Sequence, residues 1–396
     1  LTANLHIAAA WHGLSVRLLS LAIVAAVFYA MVRLVRLPEE WRAKEMHYAY
    51  SWAASAVVAL MLWYELKPMS IAVGWAAFGL VLFEFGLLRK GAQFRYQGYV
   101  ALVASFVRIF FANLTVNVPG TFWNERTLTV LPLALIFFFV YAQLPEIEAA
   151  QRDSGVGAEP KFPTDALMAT LGTASVAALF YFQIRSEWVV TVWGAMSFAL
   201  LGTALLMSRP VFQYQALAMT LLTFVRGMAH NLFGASYFAG TDWTGRYAVL
   251  GAAVALLLAG LVFAFPLRER GAILQGEGQA RRAIRAIAGR PEQVQFFTAI
   301  VLLTFMLALK MRAGMVTVSW GIEGVLVILL ALAVSERSFR LTGLGLLLLC
   351  VGKVLVRDAW DLQPRDRYVT FIIVGLALLL VSYLYSRYRE AIRQFL

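Results

Sequence analysis

The sequence predicts an all-α, polytopic integral membrane protein of about thirteen transmembrane helices arranged as repeated four-helix units. Three observations carry this. Of 396 residues, 61% are hydrophobic and 14% charged, against roughly 45–50% and about 25% in soluble domains. The mean hydropathy is +0.74. The apolar residues fall in runs of 18 to 24, the length at which a helix crosses the hydrocarbon core with its backbone polar groups satisfied.

The runs follow one another as 13–35, 47–65, 69–88, 94–115, 127–144, 164–183, 187–207, 212–233, 247–266, 292–310, 315–335, 338–356 and 367–386. Most are apolar all round, as expected when lipid replaces water around a helix. The loops after odd-numbered runs, with the run ends that border them and the C-terminal tail, hold 21 Lys and Arg; the other loops, counted the same way, hold nine. Basic loops stay in the cytoplasm, so the C-terminus is expected inside and the N-terminal end outside. The net charge of +12 then reflects these loops rather than a nucleic-acid partner. The first run has neither the basic flank nor the small-residue cleavage site of a signal peptide.

Sliding the chain on itself aligns three units at offsets of 118 and 127 residues. Trp75, Trp193 and Trp320 open the second helices; Phe94, Phe212 and Phe339 open the third. Arg108, Arg226 and Lys353 lie within the third helices, with Asn113, Asn231 and Asp358 near their ends. Arg126, Arg246 and Arg367 open the fourth helices, and Tyr96-Gln97 recurs as Tyr214-Gln215. The expected layout is a partial unit at 1–36, units at 45–146 and 164–268, a basic loop at 269–291, and a last unit with a basic tail at 292–396. Asn4 and Arg17 match Asn113 and Arg126, and the chain starts without Met, so it reads as a C-terminal piece of a longer array.

From Phe339 to Tyr385 the chain reads FRLTGLGLLLLCVGKVLVRDAWDL and then QPRDRYVTFIIVGLALLLVSYLY. This resembles the C-terminal repeat of a family of large bacterial predicted membrane proteins catalogued as a domain of unknown function. The resemblance implies a multi-span protein of many repeats, and it brings no activity, substrate or catalytic residue.

The cations within spans are the sharpest candidates. An ionisable group inside a span costs several kcal/mol and marks a functional site by default, about 2.5–3.5 kcal/mol at the centre on insertion scales. Arg108, Arg226 and Lys353, joined by Arg126, Arg246, Arg367 and the indoles of Trp75, Trp193 and Trp320, form a candidate site for a phosphate or carboxylate near the periplasmic interface. His230 and Arg357 follow Arg226 and Lys353 by one helical turn and add donors there, where Arg108 has only Ala112. The same residues also fit snorkelling cations and an aromatic belt. Five residues separate Arg108 from Asn113, about 140° in an α-helix, so the pair is not expected to share a face. Asn231 and Asp358 read as helix ends bonded to local backbone.

Glu84 and Glu323 are acids within spans; Glu84 is expected to pair with Arg89-Lys90, and a proton-coupling role is the alternative for both. Glu65, Gln183 and Lys310 occupy one repeat position with three chemistries, against a shared catalytic role. Arg281, Arg282, Arg285 and Arg290, set among Ala and Ile, read as an interfacial basic helix against anionic headgroups. Cys350 is the only cysteine, and the four histidines lack ligand spacing, so neither metal nor cofactor is expected. Nucleotide, metalloprotease and nucleophile-elbow motifs are absent. Three functions stay open: a non-catalytic scaffold or accessory subunit of a membrane assembly, a carrier or flippase for an anionic envelope lipid or lipid-linked glycan, and a membrane transferase whose catalytic part lies elsewhere. The partners expected are membrane lipids, anionic ones above all, and another membrane protein.

Overall fold

The computed structural model describes residues 10–11, 14–34, 41–89, 92–116, 122–153, 164–234, 243–269, 286–311, 313–361 and 363–387. Most of them form helices, joined by short turns. The helices are α1 Val16–Leu34, α2 Trp41–Glu65, α3 Ile71–Leu88, α4 Ala92–Arg108, α5 Glu125–Asp153, α6 Thr164–Gln183, α7 Val189–Met207 and α8 Pro210–Arg226. Beyond these come α9 Trp243–Ala259, α10 Leu261–Glu269, α11 Pro291–Lys310, α12 Ala313–Val334, α13 Arg337–Lys353 and α14 Pro364–Arg387. Before α1, Ala10–Trp11 pairs antiparallel with Leu14–Ser15. Every one of the thirteen apolar runs coincides with a helix, the ninth with α9 and α10 together. Among the described residues, eight helical segments are long and apolar enough to cross a membrane; Val16–Val32 and Arg367–Tyr383 are shorter apolar stretches. Leu88, Leu206, Leu348 and Ile372 stay largely exposed, as lipid-facing side chains do.

The chain packs as two compact units, residues 1–185 and 186–396. In the first, α1 pairs with α2, α3 with α4, and α5 with α6. Gly79 and Gly98 set the α3–α4 distance: a Cβ on Gly98 would lie 2.7 Å from the Gly79 carbonyl oxygen. Small residues permit such backbone contact between membrane helices. In the second unit, α7 pairs with α8 and α9, α11 with α9 and α10, and α12 with α13 and α14. Gly324 and Gly343 make the corresponding crossing between α12 and α13. Between α7 and α8 the crossing is polar, with the Ser197 hydroxyl donating to Ala216 O at 3.1 Å. Pro210 and Pro291 start α8 and α11, where a missing N–H costs nothing. Ser208 and Ser335 adopt left-handed φ of 53° and 56° in the tight turns after α7 and α12. Phe296 stacks on Phe339 at 3.6 Å in the core joining α11 to α13.

Candidate functional site

Three helices share one local device. Helix α4 ends at Arg108 and continues as a π-helical stretch, Ile109–Asn113. Helix α8 ends at Arg226 and continues as Gly227–Leu232, and α13 ends at Lys353 and continues as Val354–Asp358. The i→i+5 bonds are well formed, Leu114 N–H to Ile109 O at 2.9 Å and Phe233 N–H to Met228 O at 3.0 Å. π-helix occurs mostly as such single-turn bulges within α-helices, frequently at functional sites.

The π stretch overturns the α-helical angle expected between the cation and the polar residue five positions on. Lys353 Nζ lies 2.7 Å from Asp358 Oδ1. Arg108 and Asn113 reach adjacent carbonyls of the turn after α2, at Pro68 O (a long 3.5 Å) and Met69 O (2.7 Å). Arg226 and Asn231 likewise reach Ser186 O at 3.1 Å and Glu187 O at 3.1 Å. In a π turn, residues five apart come nearly into line. Asn231 and Asp358 therefore bond distant segments, not the local backbone that an ordinary helix end would offer.

Arg226 also donates to Ser186 Oγ at 2.6 Å, and that hydroxyl lies 2.6 Å from His230 Nε2. So Arg226 and His230 converge as their spacing predicts, on a serine of the same chain. Lys353 donates to Thr317 Oγ1 at 2.6 Å, and Thr317 in turn donates to Asp358 Oδ2. Arg357 projects outward from the same π turn. Arg108 stands over the Trp63 ring at 4.9 Å, and Trp63 stacks on Trp75. Trp63 was not singled out from the sequence; its place two residues before Glu65 was the available signal. Trp75 donates its indole N–H to Ala59 O at 2.9 Å, and Trp320 donates to Thr304 O at 3.0 Å. Trp193 is half-buried in α7.

The arginines that open helices have other partners. Arg126 is 6% exposed and donates to Phe182 O, Val116 O and Gln183 Oε1. Arg17 pairs with Glu65 at 2.7 Å and donates to Tyr64 O. Lys310, the third residue at the Glu65 and Gln183 position, lies over the Tyr247 ring at 5.1 Å. Glu65 and Gln183 thus each meet an arginine near the start of another helix, Arg17 of α1 and Arg126 of α5. Arg108 and Arg126 do not converge on one set of partners, so the expected two-cation cluster is not brought together there. Arg367 is half-buried at the start of α14. The side chain of Arg246, like Arg281, Arg282 and Arg285, lies outside the described residues. Arg290 is exposed just before α11, and Gln213 ties the preceding residue pair to α8 by donating to Ala288 O at 2.7 Å.

Glu84 accepts from Gln143 Nε2 at 2.8 Å, while Arg89 lies over the Phe85 ring. This differs from the expected pairing with Arg89; Lys90 lies outside the described residues. Glu323 is 3% exposed. Its Oε1 accepts from Thr304 at 2.8 Å, and its Oε2 has no hydrogen-bond partner. Further polar groups meet inside the bundles. Gln97 donates to Ser51 and accepts from Ser55, and Gln295 donates to Ser197 and Thr220. Arg268 joins Glu292 to Glu336. Among the described residues, no three His, Cys, Asp or Glu gather as metal ligands.

Apolar helices of membrane-crossing length, lipid-facing leucines and interior polar contacts made helix to helix define a polytopic α-helical membrane protein. The chain belongs to the family described as "Predicted membrane protein (DUF2339)", whose model matches residues 1–388. No curated protein and no solved structure matches the chain.

Proposed function

We propose that the chain is a non-catalytic scaffold of a bacterial inner-membrane assembly, built from parallel four-helix units at 45–146, 164–268 and 292–396. The C-terminus lies in the cytoplasm and the N-terminal end in the periplasm. The observation that carries the reading is the use made of the repeated cations: Arg108, Arg126, Arg226 and Lys353 are turned onto carbonyls, hydroxyls or a carboxylate of their own chain. Donors engaged in this way fix one turn against the next. The identical spacings support the units: Trp75 and Trp320 each bond a carbonyl 16 residues back, and Arg108 and Arg226 each bond one 40 residues back. Four spans per unit keep successive units in one orientation, unlike the inverted repeats of many transporters.

One feature favours the lipid-carrier reading. An apolar groove of 780 Å³ runs between α1, α3 and α4, lined by Val32, Phe78, Leu82 and Phe94 with Arg89 at its edge. Native mass spectrometry with anionic and zwitterionic lipids separates the two. The scaffold reading expects equal lipid retention in the parent, Arg226→Ala, Lys353→Ala and Arg89→Ala proteins. Selective loss of anionic lipid in any variant makes the chain a lipid-handling protein instead.

A further inference from the structure

Six residues of the last four-helix group that differ from their counterparts in the other two lie in contact along α12 and its neighbours. Aligned at the two offsets, Thr304 stands where the others have Ala59 and Ala177, and Thr317 where they have Ala72 and Val190. Glu323 replaces Phe78 and Met196; Cys350 replaces Ser105 and Thr223. Lys353 replaces two arginines and Asp358 two asparagines. Thr304 donates to Glu323, and Thr317 binds both Lys353 and Asp358. Cys350 donates to Thr317 O at 3.5 Å and lies within electrostatic reach of Glu323, Lys353 and Asp358. Arg and Asn keep their protonation state at any ordinary pH, whereas Lys, Asp and Glu exchange protons. The other two groups are built without any of these changes.

We propose that Glu323 and the Lys353–Asp358 pair form an intramembrane proton-exchange site that controls the clamp between α12 and the π turn of α13. The unit register rests on the reading above; the cluster itself rests on its contacts. A carboxylate at Glu323 takes one proton to become a neutral carboxyl, with Thr304 turned to Oε1 and Oε2 without a hydrogen-bond partner. A proton on Asp358 removes the charge that Lys353 neutralises and loosens both its contact with Lys353 and the Thr317 hydrogen bond that holds the π turn to α12. Among the described residues, the following titratable and charged groups lie on the elements around the site. Helix α11 supplies Thr304, with Lys310 directed to Tyr247; α13 supplies Cys350, Lys353, Arg357 and Asp358; α14 carries Arg367 at one end and Tyr383 and Arg387 at the other.

The test is infrared difference spectroscopy of the full chain in phospholipid vesicles, titrated with acid and base after ¹³C-glutamate labelling. The labelled parent is expected to show a carboxyl band that titrates, and Glu323→Gln to lose it. The double variant Lys353→Arg/Asp358→Asn restores the pair found in the other two groups, so it retains the packing. It is expected to shift the pH midpoint of the Glu323 band. A labelled glutamate signal without a pH-dependent carboxyl band overturns the proposal, as does a band unchanged in Glu323→Gln. A Glu323 band that responds to sodium or potassium ions but not to pH assigns the site to a metal cation instead. If Glu323→Gln fails to fold, the labelled parent and the double variant decide alone: no shift between them overturns the coupling.

Discussion

A methyl group added to Gly343 tests the α12–α13 crossing without altering any charge. The new Cβ would stand 2.5 Å from Ile328 Cγ1, 2.9 Å from Gly324 O and 3.2 Å from Ile328 N. Two of those atoms belong to the backbone of α12 and yield only if the helices part. Overpacking of this kind costs typically about 1–3 kcal/mol. With each 1.4 kcal/mol a factor of ten, Gly343→Ala should lower the folded-to-unfolded ratio by about fivefold to about a hundredfold. Gly345 is the control, two residues further along the same helix. A Cβ there meets nothing within 4 Å, so Gly345→Ala should hold stability or raise it by up to about 1 kcal/mol through helix propensity. Reversible unfolding of parent and variants in mixed micelles, followed by tryptophan fluorescence, provides the comparison. Equal stability of the two variants would refute the close-crossing argument.

Arg126→Met should destabilise the first unit by about 2–4 kcal/mol, because it strands the Phe182 and Val116 carbonyls that the guanidinium binds; a thermal unfolding midpoint equal to the parent's would contradict this. Ser208→Gly and Ser335→Gly relieve left-handed backbone at a non-glycine residue and should each stabilise by up to about 1 kcal/mol, net of the greater freedom of an unfolded glycine; both are read by the same unfolding assay. A reporter fused after Leu396 should be active when it requires the cytoplasm and inactive when it requires the periplasm, and the opposite pattern would invert the proposed orientation.

How far the sequence foretold the architecture differs from element to element. The helices were legible as long apolar runs: all thirteen coincide with helices, and among the described residues eight helical segments are long and apolar enough to cross a membrane. The boundary at Arg108 was legible only in part. A π turn has no compositional mark, and an angle counted at α-helical pitch sends Asn113 away from Arg108, whereas the added residue sends both to the turn after α2. Convergence of Arg226 with His230 was readable from spacing alone, but its target, Ser186, lies 40 residues upstream of Arg226 and depends on which turns are neighbours. Gln97 and Gln215 were visible as recurring Tyr-Gln pairs, yet the Ser51 and Ser55 partners of Gln97 follow only from the packing of α2 on α4.

The pairing of Arg126 with the end of α6 also has a consequence in time. Its acceptors at Phe182 and Gln183 lie 56 and 57 residues downstream. At a synthesis rate of about 5–20 residues per second, they emerge from the ribosome roughly 3–11 s after the arginine does. During that interval the cation that α5 will bury has no partner from its own chain on α6. Insertion therefore leaves one end of α5 to wait at the headgroups or within the translocation machinery until α6 arrives. Arg17, 48 residues ahead of Glu65, imposes a similar delay on α1, about 2–10 s at the same rate.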